Sequence, residues 1–311
     1  MGRLVKGVWK TDVELAKITD STEQSEDEFC EKVTADGSSG FGAERDRYHV
    51  YASLGCPFAH RVLIFRKIKG LESIISVSYV DAVRPEQGWS FGQDGDETKD
   101  PLFGCHYLHE IYTKAKPDFS GRVVVPVLWD KQRKTVVSNQ SADLIRMLNS
   151  EFKEFSDSKS ADYYPESLRA KIDEINNCIQ PNINTGVYRA GFSSSQAVYA
   201  EACEKLFQAL DKMESILTNQ RFLVEDQLTE ADWRLFTSLV RFDGVYFTHF
   251  KCNKKRIADY PALSGFLKRL YNFPGVKETT DMEHIKKHYF MTHTHINPSR
   301  IVPIGPQLDW L

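Results

Sequence analysis

A cysteine placed between a short strand and a helix restricts the fold of this chain more than any other feature of its sequence. The run Tyr48–Ala52 is short and aromatic, Cys56 follows it, and Pro57 opens a helical pattern that ends at Gly70. Proline suits the first turn of a helix, where its missing N–H is not needed, and glycine suits the position after the last turn. Residues 74–80 form a second apolar run, so the pattern predicts a βαβ unit with two parallel strands.

The segments that follow extend this unit into a small domain. Residues 84–99 are rich in glycine and aspartate and are predicted to be a long loop, and residues 108–114 are predicted to be a short helix. Two β-branched runs, 123–129 and 135–137, predict a hairpin, and residues 141–148 predict a helix. The resulting order, βαβαββα, is that of a thioredoxin-like domain.

Beyond residue 163 the strand signals vanish and helical periodicity dominates. The predicted helices cover residues 168–176, 196–217, 229–242 and 263–270. A length of 311 residues exceeds what one hydrophobic core usually organises, so two domains are expected.

The predicted fold class is therefore α/β plus all-α, a thioredoxin-like domain followed by a helical domain. The predicted organisation is an N-terminal arm (1–45) that packs on the body through Trp9, a thioredoxin-like domain (46–150), a polar linker (151–162), an all-helical domain (163–291) and a C-terminal tail (292–311).

One helix start in the second half carries a specific motif. Thr229 and Asp232 predict a capping box, in which the Thr229 hydroxyl bonds the Asp232 amide and the Asp232 carboxylate bonds the Thr229 amide. Leu228 and Trp233 flank the box and predict a hydrophobic staple.

Charge and hydropathy argue against several classes of function. The 40 Lys and Arg are scattered among 43 Asp and Glu, with a net charge of −3, so no nucleic-acid or anionic-membrane surface is predicted. The apolar stretch 123–129 is too short to span a bilayer, and the N-terminus lacks the apolar core of a signal peptide. These features predict a soluble, cytoplasmic protein.

The cysteines and histidines form no recognisable metal-binding pattern. The six cysteines are far apart and make no Cys-x-x-Cys pair, so neither a zinc ribbon nor a dithiol centre is indicated. His284 and His288 lie one helical turn apart and His293 is near His295, but two ligands do not make a site without a third and a fourth. No metal is predicted.

Cys56 is the candidate nucleophile. At the start of a helix its sulfur is expected to meet backbone amides and the positive end of the helix dipole, which lower the pKa of a thiol. Ala59 stands where a dithiol motif has its second cysteine, so any disulfide of Cys56 must be formed and resolved by an outside thiol. The alternative is that Cys56 is a buried apolar residue, as free cysteines commonly are.

Two further segments suit a peptide ligand. Pro126 opens a strand, and a cis Val125–Pro126 bond would turn the Val125 amide and carbonyl toward the backbone of a ligand; an ordinary trans proline at a sheet edge is the alternative. Gln140 and Ser141 begin a helix, where amides and the Ser141 hydroxyl predict a carboxylate site.

Motifs along nearly the whole chain resemble those of the glutathionyl-hydroquinone reductases, also called xi-class glutathione transferases. They are residues 53–61 (SLGCPFAHR), 69–71 (KGL), 88–91 (GWSF), 121–130 (GRVVVPVLWD), 138–141 (SNQS), 184–188 (NTGVY), 228–232 (LTEAD), 240–243 (VRFD), 246–252 (YFTHFKC) and 296–298 (INP). The Cys-Pro-Phe motif alone also fits omega-class transferases.

The resemblance implies a role for each residue that matches the family pattern. Cys56 would be the nucleophile, and Tyr188 the proton donor or acceptor. Tyr246 and Tyr289 would bond near the sulfur and help to keep it ionised. From the sequence alone, the alternative for each tyrosine is an ordinary core or interface aromatic. The residues implied to bind glutathione, the co-substrate, are Trp89, Arg122, Val123, Val124, Val125, Gln140 and Ser141.

Two positions depart from the family pattern. Phe58 stands where the motif more often has Trp, which is expected to reshape the pocket wall. Gln140 stands where Glu is more usual, so a charge that would meet the glutathione ammonium is absent. Because Gln still accepts a hydrogen bond, weaker glutathione binding is expected rather than none.

The reaction implied by the resemblance is removal of glutathione from glutathionyl-hydroquinones through a Cys56–glutathione mixed disulfide, by a homodimer. One alternative is an omega-type or glutaredoxin-like transferase that acts on mixed disulfides or dehydroascorbate. Another is a non-enzymatic ligand-binding relative in which the thiol senses redox state.

Overall fold

A computed structural model describes residues 2–11, 27–95, 98–156 and 161–308 of the protein. The chain forms two compact units, Met1–Ser160 and Ala161–Leu311. No helix in the described ranges combines the length and apolar character needed to cross a membrane.

The first unit contains the predicted βαβαββα order, which is confirmed. Its elements are β3 (Tyr48–Ala52), α1 (Pro57–Ile68), β4 (Ser76–Tyr79), α2 (Leu108–Ala115), β5 (Val127–Asp130), β6 (Thr135–Ser138) and α3 (Ser141–Ser150), after a hairpin of β1 (Arg3–Val5) and β2 (Val8–Lys10). The sheet order is β4-β3-β5-β6, with β3 parallel to β4 and antiparallel to β5. All five residues of β3 are buried, and α1 packs against α3.

The strand predicted over 123–129 begins only at Val127. Pro126 has no N–H to offer a sheet ladder, which is why proline marks the start or edge of a strand. Residues 123–126 therefore approach the sheet as irregular backbone, with their polar groups available for other partners.

The N-terminal segment is partly a hairpin rather than a purely extended arm. Leu4 of β1 exchanges backbone hydrogen bonds with Gly121, both of 3.0 Å. The predicted packing of Trp9 is confirmed, since its indole N–H donates to the Glu86 carbonyl (3.2 Å) and its ring stacks on His109. Residues 12–26 of the predicted arm lie outside the described part.

The second unit is helical, and residues 161–308 form no β-strand. Its helices of six residues or more are α4 (Arg169–Ile179), α5 (Gly186–Gly191), α6 (Gln196–Asn219), α7 (Glu230–Arg241), α8 (Pro261–Tyr271) and α9 (Met282–Thr292). Two π-helical segments, Gln180–Asn184 and Phe242–Tyr246, precede α5 and follow α7. The four predicted helices are confirmed with small shifts at their ends.

Helix α7 is buried at all twelve positions and is the centre of this unit. The predicted capping box at its start is present. The Thr229 N–H and hydroxyl both bond Asp232 Oδ2, at 2.7 and 3.0 Å, and Asp232 Oδ1 accepts the Leu223 N–H at 2.8 Å. The box therefore fixes both the start of α7 and the loop before it.

Thr229→Ala is expected to lower the free energy of unfolding by about 1 kcal/mol, because it removes the cap hydroxyl of a buried helix start. Chemical denaturation measures the change. Thr218→Ala is the matched control: its hydroxyl is exposed and bonds only the Glu214 carbonyl of its own helix, so stability should change by less than about 0.5 kcal/mol. Equal effects of the two substitutions would show that the box contributes nothing.

Candidate active site

Cys56 occupies the N-cap position of α1, as the sequence predicts. The turn before it is closed by hydrogen bonds from the Gly55 N–H to Ser53 Oγ (3.1 Å) and from the Cys56 N–H to the Ser53 carbonyl (3.2 Å). The Cys56 carbonyl accepts the His60 N–H (3.0 Å), which begins the helix. Cys56 is partly exposed, and the first turn of α1 contains no acidic residue. The sulfur is thus accessible at a helix N-terminus that no carboxylate of that turn opposes.

The segment before β5 meets this cysteine. The Val125–Pro126 peptide bond is cis, which confirms the cis hypothesis. Cys56 Sγ lies 3.6 Å from the Val125 carbonyl oxygen. Val123 and Val125 have buried side chains, whereas Val124 is 37% exposed. The structure therefore brings two of the predicted site elements into contact.

Gln140 and Ser141 lie at the start of α3, which packs against α1. Gln140 is the N-cap residue; its side chain is exposed, and its Nε2 donates to Asn139 Oδ1 at 3.1 Å. Arg61, on α1, lies with Nη1 3.5 Å from Ser141 Oγ. The starts of the two helices are thus linked through Arg61.

Trp89 and Arg122 belong to the same unit but to separate segments. Trp89 is buried in the connection between β4 and α2, where the guanidinium of Arg84 lies 5.4 Å from its ring centre. Arg122 is exposed and follows Gly121, the residue that pairs with β1. Their predicted contacts with glutathione remain predictions.

Tyr112 and Asn139 were not predicted as site residues, yet they contact the predicted ones. The Tyr112 hydroxyl bonds the backbone of Val124 and the side chain of Asn139. Asn139 stands beside Gln140 in one of the sequence motifs, and this position could have identified it as a site residue. Tyr112 has no such signal, because a buried tyrosine on an amphipathic helix looks like any other core residue.

In the second unit, the three predicted tyrosines form one hydrogen-bonded network. The Tyr289 hydroxyl lies 2.5 Å from that of Tyr188 and 3.1 Å from that of Tyr246. Tyr246 and Tyr289 are buried, whereas Tyr188 is partly exposed. Burial raises the pKa of Tyr289 well above its usual value. Tyr188 is therefore the accessible end of a network whose centre is a neutral, buried phenol.

Close packing around Phe250 supports this network. The Phe250 ring stacks on Tyr246 with centroids 5.5 Å apart and meets Tyr188 edge to face at 5.3 Å. Gly191, at the end of α5, approaches the same ring so closely that a Cβ would lie 2.1 Å from it. Only glycine allows α5 to bring Tyr188 to this position.

The histidines near the tyrosines are paired with each other. His249 Nε2 lies 3.1 Å from His293 Nδ1, and both rings are buried. Burial lowers the pKa of His249 to about 4, so this imidazole is neutral at physiological pH. Within the described ranges, no group of three or more His, Cys, Asp or Glu side chains could hold a metal ion.

Comparisons with known proteins agree with this geometry. The sequence model described as "Glutathione S-transferase, N-terminal domain" matches residues 55–151, and "Glutathione S-transferase, C-terminal domain" matches residues 196–269.

Two curated relatives match over nearly their full length. The chain is 50% identical to "Glutathionyl-hydroquinone reductase YqjG" of Escherichia coli (strain K12), over 99% of this chain and 96% of that protein. It is 45% identical to "Glutathionyl-hydroquinone reductase PcpF" of Sphingobium chlorophenolicum, over 98% and 96%.

The fold is also shared with a solved structure. The glutathione-bound structure of YqjG from Escherichia coli K-12 aligns with a TM-score of 0.90, covering 99% of this chain and 97% of that chain at 48% identity. Both family models match the chain, and the two reductases align with it over nearly its whole length at 45–50% identity. The chain therefore belongs to the glutathionyl-hydroquinone reductases, the xi class of the glutathione transferases.

Proposed function

We propose that the protein removes glutathione from glutathionyl-hydroquinones and releases hydroquinone and glutathione disulfide. The observation that carries the proposal is the position of Cys56 at the N-terminus of α1, with no acidic residue in the first turn, in a chain of this family. The Cys56 sulfur lies beside the segment before Pro126, where its S–H meets the Val125 carbonyl. A helix N-terminus favours the thiolate form of a cysteine, which is the nucleophile in thiol chemistry.

The chemistry requires more than a thiolate. Direct attack of a thiolate on the sulfur of an aryl thioether would place negative charge on the departing ring carbon. Protonation of that carbon gives a ketone tautomer, from which attack by Cys56 on the sulfur expels a stabilised enolate. The carbon–sulfur electron pair stays with the ring, which becomes the hydroquinone, and glutathione remains on Cys56 as a mixed disulfide. A second glutathione thiolate then attacks this disulfide, restores Cys56 and leaves as glutathione disulfide.

Tyr188 is assigned the proton transfer. Its hydroxyl is the partly exposed member of the tyrosine network, and the Tyr289 hydroxyl beside it can donate a hydrogen bond to the phenolate that remains after the proton leaves. Tyr246 supports Tyr289 in turn. We further propose that Tyr246 and Tyr289 help to keep the Cys56 sulfur ionised.

Glutathione is assigned to the first unit. The backbone of Val125 would pair with the cysteinyl backbone of the tripeptide, while Gln140 and Ser141 would receive the γ-glutamyl end at the N-terminus of α3. The remaining residues of the proposed glutathione site are Trp89, Arg122, Val123 and Val124.

A second candidate function uses the same cysteine. An omega-type or glutaredoxin-like reaction on mixed disulfides or dehydroascorbate needs only a reactive thiol without a local partner, and Ala59 in place of a second cysteine fits that requirement. We also propose that the protein acts in the cytoplasm as a homodimer. Light scattering of the purified protein tests whether it is a dimer.

Cys56→Ser is expected to reduce turnover to trace levels with the fold intact, since an alcohol of much higher pKa does not replace a thiolate. Activity and circular dichroism measure the two effects. Cys30→Ser, at an exposed cysteine of the same unit, is the control and should keep full activity. Mass spectrometry after treatment with glutathione disulfide should find one adduct, on Cys56. Substantial activity in Cys56→Ser would contradict the mechanism.

Tyr188→Phe is expected to reduce turnover of glutathionyl-hydroquinones by about 10² to 10⁴, the usual contribution of a positioned acid or base. Reduction of a simple glutathione mixed disulfide should fall far less, because its leaving group is already a thiolate. Both rates are measured on one preparation of each variant.

The control for this experiment is Tyr164→Phe, which removes a hydroxyl bonded to Asp173 in the same unit and should leave both rates unchanged. Equal losses of Tyr188→Phe on both substrates would show that Tyr188 shapes the pocket or supports the thiolate. No loss on either substrate would make it a structural aromatic and favour the second candidate function.

A further inference from the structure

The hydroxyl of Tyr112, on α2, connects two segments that the proposed function assigns to glutathione. It donates to the Val124 carbonyl (2.8 Å), and it accepts hydrogen bonds from the Val124 N–H (3.2 Å) and from Asn139 Nδ2 (3.1 Å). Asn139 Oδ1 in turn accepts from Gln140 Nε2 at 3.1 Å. One oxygen atom thus joins the segment before Pro126 to the start of α3.

The surroundings of Tyr112 hold this oxygen in place. The side chain is fully buried, and its ring packs against Phe29 and Phe119 with centroids 5.7 and 5.1 Å apart. Burial raises the pKa of Tyr112 to about 12, so its hydroxyl is neutral at physiological pH and both donates and accepts. A hydroxyl with three hydrogen bonds in a buried environment has one favoured position.

We propose that Tyr112 is a positioning residue that sets the spacing between the two halves of the glutathione site. Glutathione is a tripeptide whose cysteinyl backbone and γ-glutamyl carboxylate are several bonds apart, so a site that receives both ends must hold their partners at a fixed separation. Val125 lies next to Val124, and Gln140 bonds Asn139, so both sets of partners depend on the same hydroxyl. Preorganising them lowers the entropy that binding would otherwise lose. The inference rests on the proposed function.

Tyr112→Phe and Tyr48→Phe form a matched pair that tests this role. Tyr48 is also fully buried in the first unit, and its hydroxyl donates to the Gly42 carbonyl at 2.7 Å, away from both segments. Each change removes one buried hydroxyl, so both should lower the melting temperature, and Tyr112→Phe should lower it more because three partner groups lose a hydrogen bond rather than one.

Only Tyr112→Phe is expected to weaken glutathione binding, by about tenfold in isothermal titration calorimetry. The KM for glutathione should rise by the same factor, while kcat at saturating glutathione stays within about twofold of the wild-type value. A purely structural role of Tyr112 would not produce this separation of KM from kcat.

Asn139→Ala provides a second test that does not require Tyr112→Phe to fold. It should also weaken glutathione binding, and wild-type affinity in Asn139→Ala would overturn the inference. In the double variant, the loss should be smaller than the product of the two single losses, because both changes break the same connection. Multiplicative losses would overturn the inference. So would wild-type affinity in Tyr112→Phe, or an equal loss of affinity in Tyr48→Phe. Failure of the wild-type protein to bind glutathione would instead overturn the proposed function, and this inference with it.

Discussion

The antiparallel pairing of β3 with β5 is the constraint on which the cysteine site depends. Tyr51 lies opposite Val127, so the residues that follow β3 lie beside those that precede β5. Cys56 is in the first group and Val125 in the second, and the 3.6 Å between Sγ and the carbonyl oxygen follows from this register. A slip of one residue would turn every side chain of the buried strand β3 to the opposite face, so packing strongly specifies the register.

The second unit positions its tyrosines through irregular helix rather than through a sheet. Tyr246 is the last residue of one π-helical segment, and the other ends shortly before Tyr188. A π-helical turn contains one residue more per hydrogen-bonded ring than an α-helix, and such turns often occur at functional sites. Asn184, the last residue of the segment Gln180–Asn184, donates to the Arg234 carbonyl (2.9 Å) and to Ser238 Oγ (2.7 Å). This segment is therefore anchored to the buried helix α7. The irregular backbone has hydrogen-bond partners and a defined position.

The sequence was most informative where one local signal decided the structure. Proline and glycine at the two ends of α1, and the reciprocal groups of the Thr229 capping box, are local signals that tertiary contacts reinforce. The strand Arg3–Val5 and the helix Gly186–Gly191 were not predicted, because the strand pairs with Gly121 and the helix depends on the approach of Gly191 to Phe250. The connection through Tyr112 was missed for the same reason: its partners are distant in sequence.

The two departures from the family pattern are compatible with a working glutathione site. The Phe58 ring lies 4.9 Å from the guanidinium carbon of Arg61, a cation–π contact that phenylalanine makes as tryptophan does, though more weakly. Arg61 is fully buried and has Nη1 close to Ser141 Oγ, so Phe58 helps to hold the cation that contacts the start of α3. Gln140 donates its amide N–H to Asn139, and in the proposed site its amide oxygen would accept a hydrogen bond from the glutathione ammonium. Replacing a carboxylate by an amide at position 140 removes charge attraction but keeps the acceptor. In the proposed site, the hydrogen bonds from Gln140 to Asn139 and from Asn139 to Tyr112 therefore hold the amide in place where charge no longer acts.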